Sequence, residues 1–569
     1  MDVIALRKTS GTITGEVRLN GFFQDRVSFL RCSGYVEQFD VQQAELTVRE
    51  TVVFSARLRL DSKNPITATD KGKLRFADYV LDMLELTDIK DLQVGSYAEG
   101  GLSFEQRKRL AIAVELAASP SIIFLDEPTS GLDSRGALVI MRAMKAIANT
   151  QRTVVSTIHQ PSAAVFEMFD DLLLLKRGGE VVFFGELGNE SCHLVDYFES
   201  HGAQPIDHGE NPAAWMLRAY TGEHENFNWK DAYEASEQFR VMKATIEKIK
   251  QSTDESKRIK YDTEFAASIW KHMELMNRRI FRIMMRAPSY NLARLMIAIL
   301  YAFLIGCVFI RTRTVDKVFN ENDVSGIIST IFLGLIIMGV VSISMAVPVM
   351  KEIRDVFYKH RASGMLDHNS VTVAITLAEI PYIVMISAIF SAVYYSVVGL
   401  FVSADKWFAY FGYFSLNLAC YVYFGQAFIC LVKDIPTAGA LVGALIGYNV
   451  FFSGLIVKPQ YFVGPFQLGY WTAPGRFAFE GMIVSQFIDL EYVVIPEENS
   501  PYFYFLNCTP ATLRTSTCHG TMTEFVDFFF DGKFTVSHRP IDVGVLFFCL
   551  FLARLLCWVA LKYFNYVNT

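Results

Sequence analysis

Ser121-Ile122-Ile123-Phe124-Leu125-Asp126-Glu127-Pro128 reads as an apolar strand that ends in two adjacent carboxylates. A buried strand that delivers acids at its carboxyl end puts them where α/β sheets bind ligands. One acid there can hold Mg²⁺, directly or through water, and the next can orient a water for attack on a phosphate. Taken alone, the stretch is equally an ordinary strand followed by an exposed Asp-Glu turn.

Working outward, short apolar or β-branched runs at 32–37, 152–157 and 171–175 join 121–126 as strands. Helical patterns lie between them at 48–60, 73–86, 103–118, 134–148 and 162–169. This alternation predicts an α/β domain with a largely parallel sheet. Thr47-Val48-Arg49-Glu50 has capping-box spacing and starts a helix in this reading. Residues 222–262 are polar and charged and read as a helical linker.

The whole chain has 569 residues, 52% of them hydrophobic and 20% charged, with a formal net charge of −6. The length allows about three to five domains. The low charged fraction points to membrane spans, and a near-neutral balance with no basic tract leaves nucleic acid no electrostatic footprint. Nine cysteines without CxxC spacing give no zinc or thioredoxin-like site. The apolar residues concentrate in the second half. A span needs about 20 apolar residues, and six stretches qualify: 292–310, 324–349, 371–400, 407–432, 436–457 and 542–562, the third interrupted near Pro381. Arg278, Arg279, Arg282 and Arg286 before the first span, and Lys351, Arg354, Lys359 and Arg361 after the second, place those flanks in the cytosol. Arg311, Arg313 and Lys317 argue the other way. With both ends inside, residues 458–541 form a large outer segment.

Four further motifs accompany the acid pair. Gly34-Tyr35-Val36-Glu37-Gln38 ends one strand, and Leu102-Ser103-Phe104-Glu105-Gln106-Arg107 opens a helix. Ser130-Gly131-Leu132-Asp133 follows the acids, and Thr157-Ile158-His159-Gln160 ends the next strand. Their order and spacing resemble the nucleotide-binding domain of an ABC transporter. The resemblance makes Gln38 the Q-loop, Ser103 the start of the signature helix, Asp126 and Glu127 the Walker B pair, Asp133 the D-loop and His159 the H-loop. Glu-Gln-Arg-Lys-Arg-Leu at 105–110, Ile-His-Gln-Pro-Ser at 158–162, Lys-Arg-Gly-Gly at 176–179 and Asn-Pro-Ala at 211–213 resemble the G subfamily. So does the order of soluble domain first and six spans second. Specifically, the chain resembles the C-terminal half of a full-size pleiotropic drug resistance transporter.

The resemblance implies three parts: a nucleotide-binding domain at 1–221, a helical linker at 222–285 and a transmembrane domain at 286–569. It implies half of an ATP-driven exporter of lipophilic or amphipathic compounds, such as xenobiotics or lipids, in a membrane, most simply the plasma membrane. Its cofactors would be ATP and Mg²⁺, its partner a second transporter half, most simply the N-terminal half of the same protein. Glu127 would polarise the attacking water, Asp126 and Gln38 would hold Mg²⁺ and its waters, and His159 would contact the γ-phosphate.

Two departures qualify this. No Gly-x-x-x-x-Gly-Lys-Ser/Thr loop occurs, although its backbone N–H groups and Lys cradle the phosphates in this family. The chain is expected to start just downstream of that element, the alternative being a natural pseudo-domain. A non-catalytic membrane subunit that binds a partner half without hydrolysing ATP is the corresponding alternative function. The signature also reads Leu-Ser-Phe-Glu-Gln, where Phe104 adds bulk and Glu105 a negative charge near a negative ligand.

In the membrane half, the resemblance makes 349–358 the coupling segment and sets spans two and five beside the substrate cavity, where Phe332, Phe451 and Phe452 are candidates to line it, the alternative being that they face lipid. Gly439, Gly443 and Gly447 recur every fourth residue, a spacing that permits close helix approach. Glu379 and Arg554 are ionisable groups inside spans and have no assigned partner. Cys508 and Cys518 are the only cysteines of the outer segment, where an oxidising exterior permits a disulfide between them; two free thiols are the alternative. Asn507-Cys508-Thr509 is also a glycosylation sequon.

Overall fold

The computed structural model describes residues 1–566 except 9–10, 39, 63, 97–99, 222–226, 252–253, 309–317, 401–402, 488–489, 491 and 511–517. The basic residues Arg311, Arg313 and Lys317 therefore lie outside the described residues. The chain divides into two compact units, Met1–His272 with Lys359–Asp367, and Met273–Tyr358 with His368–Asn568.

In the first unit, β1 (Ser33–Val36), β2 (Ile122–Asp126) and β3 (Thr153–Thr157) form a parallel sheet in that order. Alternate side chains of β2 enter two different cores, as the two-residue period of a strand requires. Ile123 and Leu125 join Val52, Leu81, Leu110, Ile112 and Ile140 on one face. Ile122 and Phe124 meet Phe29 on the other. Both faces are covered, which is why β2 is a continuous apolar run. The helices are α1 (Arg26–Cys32), α2 (Val48–Arg59), α3 (Asp70–Met83), α4 (Phe104–Leu116) and α5 (Ser134–Ala148). Thr47 closes the expected capping box with Glu50 at the start of α2.

The run 171–175 is a strand, but it does not extend the parallel sheet. β4 (Asp171–Leu175) pairs antiparallel with β5 (Val181–Glu186), a strand the sequence reading passed over. Between them Gly178 and Gly179 take φ of 104° and 87°, a left-handed conformation that glycine adopts without a Cβ penalty. This hairpin packs on a core of Phe183, Phe198, Trp215 and Trp229. Trp229 belongs to the stretch read as linker, which also returns to α1. Tyr261 N–H donates to Ser28 Oγ at 3.1 Å and Arg31 donates to Thr263 O at 3.0 Å.

The second unit is helical, entered through the amphipathic helix α6 (Ile269–Arg286). Among the described residues, five helices are long and apolar enough to cross a membrane. They are α7 (Pro288–Val308), α8 (Glu321–Ala362), α9 (His368–Val398), α10 (Ala404–Leu431) and the helix ending at Tyr563. The fifth of the six expected spans is the shorter α11 (Ile435–Phe451), with 17 residues. At 1.5 Å per residue that is about 26 Å, short of a hydrocarbon core of about 30 Å. Pro381 does not break α9, since membrane helices accommodate proline where neighbours and local adjustments re-satisfy the freed backbone groups.

The outer segment is not simply outside the bundle. Every residue of α12 (Pro474–Phe487) is buried. Phe477, Phe479 and Met482 share one apolar core with Leu418 of α10 and Leu546 of α13 (Arg539–Tyr563). Cys508 and Cys518 are disulfide-bonded, with Cα atoms 5.8 Å apart. The seven other cysteines are free.

Residues 349–358 fall in the second unit, and Arg354 there is 1% exposed. Its guanidinium donates to the carbonyls of Ile429, Val432 (2.5 Å) and Lys433 (3.0 Å), capping the C-terminal end of α10. The following residues, Lys359–Asp367, count with the first unit. Lys359 makes an ion pair with Asp40, and the His360 ring lies 5.9 Å from that of Phe54.

Candidate functional site

Parallel pairing of β2 with β1 and β3 brings the ends of three strands to one edge. Asp126 sits opposite Thr157, two residues before His159, and Leu125 sits opposite Val36, two residues before Gln38. Gln38 Nε2 donates to Glu127 Oε2 at 2.7 Å. The Thr157 hydroxyl donates to Asp126 Oδ1 at 2.8 Å and accepts from the Glu127 N–H at 3.0 Å. One hydroxyl therefore fixes both acids. Glu127 adopts φ +44°, a left-handed conformation costing a non-glycine residue of order 1–3 kcal/mol. His159 is exposed.

On the other side of Asp126, the Tyr35 hydroxyl lies 3.4 Å from Asp126 Oδ2 and donates to Asp2 Oδ1 at 2.6 Å. Burial, then the Asp2 hydrogen bond and the Asp126 charge, push the Tyr35 phenol well above its ordinary value. Arg7 pairs with Glu37 and covers the Tyr35 ring at 4.2 Å. Lys108 of α4 is 3% exposed and donates to the main-chain O of Gln38 at 2.6 Å. Burial lowers its pKa, and the charges of Asp40, Asp126 and Glu127 oppose that shift.

Ser103 and Asp133 both act as helix caps. Ser103 Oγ accepts from Gln106 N–H at 3.2 Å in a full capping box on α4, and Asp133 Oδ1 accepts from Gly136 N–H at 2.7 Å on α5. Phe104 lies over Gly131, where an added Cβ would meet the ring at 2.9 Å. The Glu105 charge is not free: Arg109 Nη2 donates to it at 2.8 Å. The signature start thus packs against the Gly131–Gly136 turn of its own chain.

In the second unit, Phe332 is 9% exposed and packs edge-on against Phe479 at 5.3 Å, so it is a core residue and not a wall of an open pocket. Phe451 and Phe452 meet each other at 4.9 Å and Phe462 at 6.0 and 5.3 Å. Gly439, Gly443 and Gly447 do not mediate close helix approach among the described residues, for a Cβ on any of them would meet nothing within 4 Å. Glu379 and Arg554 do have partners. Glu379 accepts from Tyr290, from Gln426 at 2.9 Å and from Arg294 at 3.4 Å. Arg554 donates to Gln426 Oε1 at 2.7 Å. One amide therefore joins the two charges.

Sequence reasoning passed over Lys108, Tyr35 and Gln426 as site residues. Lys108 carried a usable signal, a cation one turn into the helix that Ser103 opens. Gln426 carried none, because its partners lie 47 and 128 positions away.

A family model described as ABC transporter matches residues 3–130, and models described as ABC-2 type transporter match 159–280 and 272–487. The chain is 34% identical over 570 residues to ABC transporter G family member 31 of Arabidopsis thaliana, covering 100% of this chain and 38% of that protein. It is 37% identical over 501 residues to G family member 35 of the same plant, covering 86% and 34%. It is 35% identical over 507 residues to Pleiotropic drug resistance protein 1 of Nicotiana tabacum, covering 88% and 35%. The chain thus spans between a third and two fifths of the length of these relatives. With an ABC ATPase domain followed by an ABC-2 type membrane domain, it is a homologue of the ABC transporter G family and its pleiotropic drug resistance proteins.

Proposed function

We propose that the chain is half of an ATP-driven exporter for lipophilic or amphipathic compounds, working with a second transporter half. The observation that carries this is the convergence of Gln38, Asp126 and Glu127 with the strand leading to His159 at one sheet edge. Asp126 and Gln38 offer the hard oxygen donors that suit Mg²⁺, and would hold it directly or through water. Bound there, Mg²⁺ neutralises phosphate charge. Glu127 then orients and deprotonates the attacking water once the Gln38 amide has left it. Asp126 stays fixed by Thr157, and His159 reaches the terminal phosphate from the neighbouring strand. Phe451 and Phe452, partly exposed on α11, are the apolar side chains proposed to meet the transported compound. The plasma membrane is the proposed site of action.

The capping role of Ser103 and the Phe104 contact with Gly131 support an asymmetric pair of sites. This half supplies a working acid and needs a glycine-containing signature from a non-identical partner, most simply the N-terminal half of one longer protein. The test is Glu127→Gln in the assembled transporter, read as phosphate release and as nucleotide binding. Hydrolysis lost with binding retained is the expected result. Near-normal turnover removes Glu127 from its role and favours a non-catalytic subunit.

A further inference from the structure

Gln38 is held at both ends. Its side-chain amide rests on Glu127 at 2.7 Å, and its main-chain carbonyl accepts from Lys108 at 2.6 Å. These two bonds connect three separate elements: the loop after β1, the acid at the end of β2 and the first turns of α4. Two residues on, Asp40 is taken up by its ion pair with Lys359.

Lys108 is an unusual side chain to bury beside a main-chain carbonyl. Burying an ammonium group costs several kcal/mol unless opposite charge and hydrogen bonds compensate, and an apolar side chain would fill the same space without that cost. The compensation here comes from the field of Asp40, Asp126 and Glu127, which all stabilise its charged form. The ammonium group thus sits in the field of three carboxylates, and its directed bond goes to the backbone at Gln38.

We propose that Lys108 is a positioning residue of the nucleotide site: it anchors the backbone at Gln38 to α4, so that the Gln38 side chain swings on a fixed pivot between Glu127 and the metal. The anchor gives the signature helix and the Q-loop of one chain a shared fixed point. This rests on the nucleotide-site reading above. The resting contact also blocks Glu127, because the oxygen that accepts the amide is not available to a water until Gln38 moves. Lys108 keeps the loop in register during that exchange.

The test uses the assembled transporter, this half with its partner half, in lipid nanodiscs and compares wild type with Lys108→Met, Lys108→Gln and Lys108→Arg in this half. Hydrogen exchange of the peptide covering 37–42 is the first readout and needs no nucleotide. A hydrogen bond to a charged group is worth about 1.5–3 kcal/mol, which corresponds to exchange faster by roughly 10- to 100-fold when it is lost. That increase is expected in Lys108→Met, with β2 and the rest of α4 unchanged and with Lys108→Arg near wild type. Should Lys108→Met not fold, Lys108→Gln, which keeps a donor without the charge, is read in the same way. The second readout is the ratio of ATP affinities with and without Mg²⁺, expected to fall in Lys108→Met while metal-free affinity stays the same. Wild-type exchange at 37–42 in the Met or Gln variant overturns the proposal, as does faster exchange spread over all of α4. A wild-type chain that shows no Mg²⁺-dependent affinity refutes the nucleotide-site reading instead, and leaves the exchange result to decide the anchor.

Discussion

The side-chain amide of Gln38 donates to Glu127 at 2.7 Å, so the residue proposed to hold the metal and the acid proposed to activate water are in direct contact. Gln38→Ala leaves this acid uncovered but removes the proposed metal ligand. In the assembled transporter it is expected to lower Mg²⁺-dependent hydrolysis at least tenfold, with metal-free ATP binding unchanged. Parallel loss of both, measured by dialysis and phosphate release, would indicate a disrupted fold instead of a lost ligand.

Thr157→Val removes the hydroxyl shared by Asp126 and the Glu127 N–H. A hydrogen bond to a charged group contributes about 1.5–3 kcal/mol, and Val matches Thr in shape. A lower Tm for the first unit, at about 2 kcal/mol of lost stability, is expected by calorimetry. The conservative Thr157→Ser should retain most of it.

The pair Arg294–Glu379 lies at 0% and 1% side-chain exposure. Removing one partner of a buried ion pair costs about 3–5 kcal/mol, whereas replacing both by apolar groups is often near neutral. Arg294→Met alone should therefore reduce the yield of folded protein more than Arg294→Met combined with Glu379→Leu. Equal yields from the single and double variants would show that Tyr290 and Gln426 suffice to hold the Glu379 charge.

His272 is wholly buried, neither ring nitrogen has a hydrogen-bond partner among the described residues, and its ring packs on Phe265 at 4.9 Å. Burial lowers its pKa below 6.5, against an opposing pull from Asp367. Below pH 6.5 the unfolded chain binds a proton that the folded chain refuses. Stability therefore falls as pH drops from 6.5 toward the lowered value. Thermal unfolding between pH 7.5 and about 5 should show this slope in wild type and a flatter one in His272→Phe. Identical slopes would assign the acid sensitivity elsewhere.

The Cys508–Cys518 bond closes a loop with a sequence separation of 10. Chain-entropy arguments put the stabilisation from a loop of that size at about 3 kcal/mol. Non-reduced peptide mapping should recover the linked pair. Both thiols alkylating without reductant would contradict the bond.

The acid pair at Asp126–Glu127 and the helices around it were readable because their signals are local: an apolar run, a cap at Thr47, a cap at Ser103. The β4–β5 hairpin was also announced locally, by Gly178 and Gly179, and was missed because the parallel pattern was extended one strand too far. The Glu379–Gln426–Arg554 chain had no local signal, since three helices must already be adjacent for it to exist. The sequence reading gave no sign of α12, which falls within the 458–541 stretch expected as an outer segment, although all its residues are buried. Glu105 illustrates a further limit. Its charge suggested repulsion, but the partner that absorbs it, Arg109, is apparent only once the helix is built.

Arg354 binds the end of one long helix into the backbone of another. Separating the carbonyls of Ile429, Val432 and Lys433 from the guanidinium would strand several polar groups at once. The two helices also pack closely along their middles, where a Cβ on Gly339 would meet Tyr421 at 2.7 Å and one on Gly425 would meet Ile343 at 2.7 Å. Over that length α8 and α10 are joined as one piece, so any change in their separation is expected at the far ends, around Glu321 and Ala404. A spin label pair near Glu321 and Ala404 would register a wide swing, and a pair flanking Arg354 would stay at constant separation.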